Sequence, residues 1–184
     1  DQLRAPFLDH EVKWRVDRCL DQTTVVLLAY LDGRAVQERL DRCVGPANWQ
    51  TRVEQRDGMT MVGLGIRLRG EWVWKWDGSA ARNMTGPQAE AHGAKAGVSD
   101  GLKRAAVLWG MGRHLYQLGN TKVQVQGGYP REVQKHLVVR VYGKLKGGGA
   151  VKGWAIAPSI QNLQKDLFAG FPIESLTASI EDPR

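Results

Sequence analysis

Lys103 and Arg104 stand side by side in the stretch Val98-Ser-Asp-Gly-Leu-Lys-Arg-Ala-Ala-Val-Leu-Trp-Gly110, on a predicted helix whose other faces are apolar or glycine-lined. Fixed positive charge held close to a thin, glycine-rich surface suits a polyanion better than a small substrate. The same stretch opens the most lopsided part of the chain. Residues 100–155 hold ten Lys or Arg against two acids, Asp100 and Glu132, a local net charge of +8 beside +7 for all 184 residues. With a pI near 9.6, this balance points to a nucleic acid. No long lysine run reads as a membrane tether.

Two further groups could make contacts of the same kind. Trp72, Trp74 and Trp76 alternate with Val73 and Lys75 on one predicted strand. Three indoles on one face can pack a helix against a sheet, offer a base-stacking platform or bury themselves in a subunit interface. Later, Arg140, Tyr142, Lys144 and Lys146 alternate with apolar residues, and Lys152 shares a face with Trp154. Cations interleaved with aromatics suit phosphate plus base contact; a solvated edge strand guarded by lysines has the same pattern. Gly93, Gly97 and Gly101 recur every four residues on the helix, and Arg104 continues their line. Such glycines cost roughly 3 kcal/mol of helix propensity against alanine. Close approach of a neighbouring strand, or of a nucleic-acid backbone, would compensate.

Signatures of catalysis are missing. There is no Gly-x4-Gly-Lys-Ser/Thr loop, and Gly63-Leu-Gly65 through Gly70 alternates as a strand does. Asp and Glu are scattered singly, with no cluster for two-metal chemistry, and Ser99 has no identifiable base. Cys19 and Cys43 cannot build a disulfide framework or a zinc site by themselves and read as small buried thiols. His10, His92, His114 and His136 lack metal-ligand spacing. The expectation is a binding protein that is not an enzyme and needs no cofactor. The reading from another class, a nuclease-like or nucleotide-modifying enzyme on a basic α+β scaffold, requires a divalent metal or a cofactor. The longest apolar run, Val25 to Leu31, is far short of a membrane span. No basic-then-apolar leader follows Asp1, so nothing indicates secretion and the expected location is cytoplasmic.

These residues need elements to hold them. Glu11 to Val16 alternates as a half-buried strand, and Thr23 to Tyr30 is a second, more fully buried one. From Asp32, a predicted cap, Val36, Leu40, Cys43 and Val44 form a helical stripe, with Arg34, Glu38, Arg39, Asp41 and Arg42 mostly on the wet side; Gly45-Pro46 stops the helix. Trp49–Gln55, Met59–Arg69 and Glu71–Trp76 read as a three-strand meander turning at Asp57-Gly58 and Gly70. Residues 78–87 read as a polar loop. Gln88 to Tyr116 reads as the main helix or a broken pair, with a core stripe of Val98, Leu102, Ala105, Trp109 and Gly112. His136 to Lys146 and Val151 to Ala157 read as strands about a turn at Gly147–Gly149, Ser159 to Ala169 as a short amphipathic helix, and the last fifteen residues as an acidic loop. The expected class is α+β: an antiparallel β-meander packed on a long helix, with a C-terminal β-hairpin and short helix. One core domain is expected over 1–118, with 119–184 as an extension of the same compact domain.

Four pieces of the chain, in order, resemble the annealing domain of the Rad52 family, in the branch of bacterial DdrA and phage recombinases. They are Tyr30-Leu-Asp-Gly-Arg-Ala-Val36 leading to Val44-Gly-Pro-Ala-Asn-Trp49, the meander, Ala94-Lys-Ala-Gly-Val-Ser-Asp-Gly-Leu-Lys-Arg-Ala105, and Gly110-Met-Gly-Arg-His-Leu-Tyr116. The likeness spans about residues 5–118. It implies a strand-strand-strand-helix annealing fold that assembles into rings or arcs, binds single-stranded DNA in a basic groove and anneals complementary strands without ATP. Lys103 and Arg104 match the family's inner-site pair, Arg69 its outer cation and Arg34 a basic residue early in the first helix. Lys95 and Arg113, within the matching motifs, join Arg140, Tyr142, Lys144, Lys146 and Lys152 as candidate DNA-contacting residues. The partners implied are single-stranded DNA, further copies of the chain, and a recombinase or single-strand-binding protein. A DNA-end-protecting or recombinase-loading module without annealing activity is the alternative. Two departures stand out: Val107 replaces a further arginine one turn after the pair, and Pro46 replaces an aromatic.

Overall fold

The computed structural model describes residues 2–80 and 89–171, without the side chains of 80 and 89–95. It is α+β with two antiparallel sheets, and it divides into two units. The polar loop read over 81–87 and almost all of the acidic terminus lie outside the described residues.

The first unit runs from Asp32 to Arg113 and includes the N-terminal residues through Ala5. Its first helix, α1 (Gly33–Val44), starts where Asp32 accepts the Ala35 N–H at 2.9 Å. It stops at Gly45, whose φ of 81° suits a residue without Cβ ahead of Pro46. Arg39 departs from its expected wet position: it is 1% exposed and donates to the Ala5 carbonyl at 2.7 Å. One turn from Val36 it borders the apolar stripe, and a carbonyl partner makes burying its charge tolerable.

Strands β3 (Trp49–Arg56), β4 (Met59–Leu68) and β5 (Glu71–Ala80) form the antiparallel meander in that order. Both turns, Asp57-Gly58 and Arg69-Gly70, have positive φ at each central residue, the turn geometry that matches strand twist. β5 continues beyond the expected end at Trp76, with Gly78, Ser79 and Ala80 pairing with Met61, Thr60 and Met59. The space above Gly78 is filled by the Met61 thioether, so a polar-looking sequence still pairs as strand. Helix α2 (Ala89–Leu108) follows, and ends well before Tyr116, because Gly110 and Gly112 adopt φ of 98° and 69°. Leu102, Ala105 and Ala106 are buried, while Val98 drops off the expected stripe and is exposed.

The second unit comprises Pro6–Leu31 and residues 114–171. Strands β1 (Lys13–Cys19), β2 (Thr24–Tyr30), β6 (Thr121–Gln126), β7 (Val138–Lys144) and β8 (Ala150–Ile156) make one sheet in the order β1-β2-β6-β8-β7. In this sheet β2 pairs with β6 across the whole first unit in the sequence. Such a ladder closes over a long sequence separation and leaves no local signature. β1 and β7, at the two ends of the order, approach one another, with Gly143 against the Cys19 sulfur. Neither cysteine is in a disulfide, and both are half-buried rather than buried.

The expected helix from Ser159 is two short ones, α3 (Ile160–Leu163) and α4 (Lys165–Ala169), broken at Gln164. Gln164 has another task. Its carboxamide donates to the His114 carbonyl at 2.8 Å, and its Oε1 lies 2.8 Å from His114 Nδ1. The buried His114 also accepts the Phe7 N–H on Nε2 at 3.0 Å, so the ring proton belongs on Nδ1, donating to Gln164.

Candidate nucleic-acid interface

Lys103 and Arg104 lie on the last turns of α2, and neither presents an isolated charge. Lys103 Nζ lies 2.7 Å from Asp100, three residues earlier on the helix, with both side chains half-buried. Arg104 Nε bonds Asp77 of β5 at 3.1 Å; its side chain is 55% exposed. Partly exposed pairs of this kind contribute about 0.2–1 kcal/mol. They hold the two cations in place yet are weak enough for phosphate oxygens to displace. The Asp100 partner follows from i,i+3 helical spacing, whereas Asp77 becomes a partner only through packing.

The helix itself is positioned by glycine. A Cβ on Gly101 would stand 2.9 Å from Val62 Cβ, and one on Gly97 2.9 Å from Thr60 Oγ1. The glycine line therefore faces β4, and the groove reading of Gly97 and Gly101 gives way to close approach of a strand. Beyond the last turn, Trp109 donates to the Leu64 carbonyl at 3.1 Å, and Lys75 Nζ bonds the Leu108 carbonyl at 2.9 Å while lying 4.4 Å from the Trp109 ring.

The other expected contacts are spread over both units. Arg69 is exposed in the β4–β5 turn with φ of 51° and, among the described residues, no side-chain partner. Six residue steps along the strand from Glu71 to Asp77 put Arg69 roughly 20 Å along β5 from the Arg104 pair. Arg34 is exposed on the first turn of α1, where Gly33 lies against Ser99, one helical turn before Lys103. Lys95 is on α2, with its side chain outside the described residues. Arg113 has a local structural job: it donates to the Val107 and Leu108 carbonyls at 2.8 and 3.1 Å and caps α2.

In the second unit, β7 and β8 bring Arg140, Tyr142, Lys144, Lys152 and Trp154 onto one sheet face, with Arg140 opposite Trp154 and Tyr142 opposite Lys152. Lys152 Nζ is 5.6 Å from the Tyr142 ring centre, and Tyr129 meets Trp154 edge-on at 4.9 Å. Lys146 is exposed in the following turn. Arg140 and Tyr142 also line a cleft with Trp14 and Arg15 of β1, which sequence reasoning missed because the β1–β7 approach is non-local. Among the described residues, no group of three His, Cys, Asp or Glu is placed to hold a metal ion, and no helix is long and apolar enough to cross a membrane.

A meander followed by a glycine-lined helix that carries an adjacent Lys-Arg pair agrees with a family match. Residues 1–134 match the family described as Rad52/22 family double-strand break repair protein, and the chain belongs to that family. Over 118 residues, 64% of its length, it is 37% identical to the single-stranded DNA-binding protein DdrA of Deinococcus radiodurans, and equally to that of Deinococcus deserti. The matched region is 54% and 56% of those two proteins, so the chain spans about half the length of the curated relatives it matches. No solved structure matches it.

Proposed function

We propose that the chain binds single-stranded DNA in recombination or repair and anneals complementary strands without ATP, as a ring or arc of many copies on the strand-strand-strand-helix annealing fold. The observation that carries this reading is the α2 pair. Two neighbouring cations are oriented by separate carboxylates, Asp100 and Asp77, in the chain segment shared with relatives named as single-stranded DNA-binding proteins. Phosphates replace those carboxylates, and bases stay free to pair. Repetition of a weak site around an oligomer supplies avidity without new contacts. Arg69, well separated along β5, serves the incoming strand, and the basic face of β7 and β8 adds further phosphate contacts.

A fluorescence annealing assay with and without EDTA and ATP, with the strands checked for modification afterwards, tests the proposal. Annealing that persists in EDTA without ATP is expected. Lys103→Ala with Arg104→Ala should abolish it while leaving the oligomer intact, and normal annealing by that double variant rejects the site. Arg69→Ala should slow pairing more than initial binding; equal loss of both rejects a separate outer cation. Electron microscopy of the free protein tests the ring. One observation favours a second reading, DNA-end protection or recombinase loading without annealing: the relatives are named for binding alone. It predicts tight binding with no acceleration of pairing.

A further inference from the structure

The tryptophans of β5 do not pack α2 onto the sheet. α2 covers the opposite face, where Gly97 and Gly101 meet Thr60 and Val62, Arg104 meets Asp77, and Lys75 meets the residue after the helix. Trp72, Trp74 and Trp76 alternate with Val73, Lys75 and Asp77 and so line the other side. There β4 gives them unusual footing. Trp74 pairs with Gly65 and Trp76 with Gly63. A Cβ on Gly65 would lie 2.9 Å from the Trp74 ring, and one on Gly63 2.6–2.8 Å from the Trp76 ring. The two indoles therefore lie against bare backbone, and both are half-buried. Ring centres repeat at 6.2 and 6.1 Å with tilts of 34° and 30°, and Trp72, at the end of the row, is 38% exposed.

The charge on this face is of one main sign. Arg52 of β3 sets its guanidinium 4.2 Å from the centre of Trp74. Arg67 pairs across from Trp72, and Arg56 lies further along β3, with Glu54 already bonded to Arg56 at 3.3 Å. A regular row of flat indoles interleaved with guanidinium groups has the chemistry for nucleobases. Every base offers a π-face, and arginines beside the row take the phosphates.

We infer that Trp72, Trp74 and Trp76, with Arg52, form a second single-strand site that holds bases by stacking, on the sheet face opposite the cations of α2. This rests on the single-strand reading above and adds a separate surface to it. α2 holds one stretch of strand by its phosphates; the indole row holds another by its bases.

The test is binding of fluorescein-labelled oligo(dT) to the full chain, followed by anisotropy across a salt series, with oligomer mass measured alongside. Trp72→Leu, which keeps an apolar side chain without a π-face, should weaken binding about tenfold, the scale of one lost base stack, and leave the salt slope unchanged. Trp72→Phe should restore most of the affinity. Lys103→Ala with Arg104→Ala should instead flatten the salt slope. Wild-type affinity in Trp72→Leu, with oligo(dT) still bound by the parent, overturns the indole site and leaves the α2 reading standing. A change of oligomer mass without loss of affinity also overturns it and makes the row a subunit interface. Equal loss in Trp72→Leu and Trp72→Phe overturns stacking in favour of shape. If the parent binds no oligo(dT), the single-strand reading itself fails, and the indole site with it.

Discussion

Gly101→Ala is the sharpest test of how α2 is held. In an open helix, alanine for glycine stabilises by about 1 kcal/mol. Here the new methyl would stand 2.9 Å from Val62 Cβ and nearer still to one of its methyl groups. Val62 is fully buried, and a β-branched side chain in a strand has little rotamer freedom to retreat. Overpacking of a well-packed core costs about 1–3 kcal/mol, and this contact belongs at the upper end. The net expectation is destabilisation by about 1–2 kcal/mol after the propensity gain. Val62→Ala alone removes two buried carbons and should cost about 2 kcal/mol. Together the two changes fit: the methyl introduced at position 101 occupies space that the Val62 side chain vacates. The double variant should be more stable than the sum of the singles by about 2 kcal/mol, a coupling far above the scatter of independent sites. Urea unfolding followed by far-UV circular dichroism measures all four corners of the cycle. A Gly101→Ala protein as stable as the parent, or singles that add to within about 0.5 kcal/mol, refutes the close approach of α2 to β4. Because Lys103 and Arg104 ride on the same turns, Gly101→Ala should also weaken single-strand binding, and Val62→Ala in the same chain should recover it.

Three other expectations follow from particular contacts. Asp77→Asn removes the carboxylate opposite Arg104, so affinity for single strands at low salt should rise by roughly two- to fivefold, a fraction of one charge contact; anisotropy titration reports it, and a fall in affinity contradicts the displacement picture. Arg113→Ala should cost about 0.5–1 kcal/mol through loss of the α2 cap and change DNA affinity little; a large affinity loss with unchanged stability returns Arg113 to the binding surface. His114→Ala leaves the Phe7 N–H without its acceptor and opens a cavity beside Phe168, at about 2–4 kcal/mol, readable by urea unfolding; an effect below about 0.5 kcal/mol denies the His114–Gln164 link its structural role.

Much of the local structure was legible. The cap at Asp32, the stop at Gly45-Pro46 and the two glycine turns of the meander depend on a few adjacent residues, and each stands where its chemistry put it. The alternation of β7 places Arg140, Tyr142 and Lys144 outward with Val139 and Val141 inside. Elsewhere the pattern misleads. Periodicity carries the main helix to Tyr116, although glycines at 110 and 112 end it. Helical spacing puts Arg39 in water because it knows nothing of a carbonyl waiting at Ala5. Alternation rightly sets the tryptophans on one face, but it does not say which face a helix will cover.

By itself, the sequence determined the chemistry on offer: an adjacent Lys-Arg pair in a strongly basic stretch, a row of indoles, and no catalytic or metal-binding motif. Period and turn residues act over a few positions, so they also determined most elements. Only the tertiary structure decided the partners. It gave Arg104 to Asp77, set Gly97 and Gly101 against β4, and placed the indoles on the side away from α2. It also drew β1 and β2 into one sheet with β6, β7 and β8. These are contacts between residues distant in the chain. They are selected by burial and ladder pairing over the whole fold, and no short window of sequence carries that information.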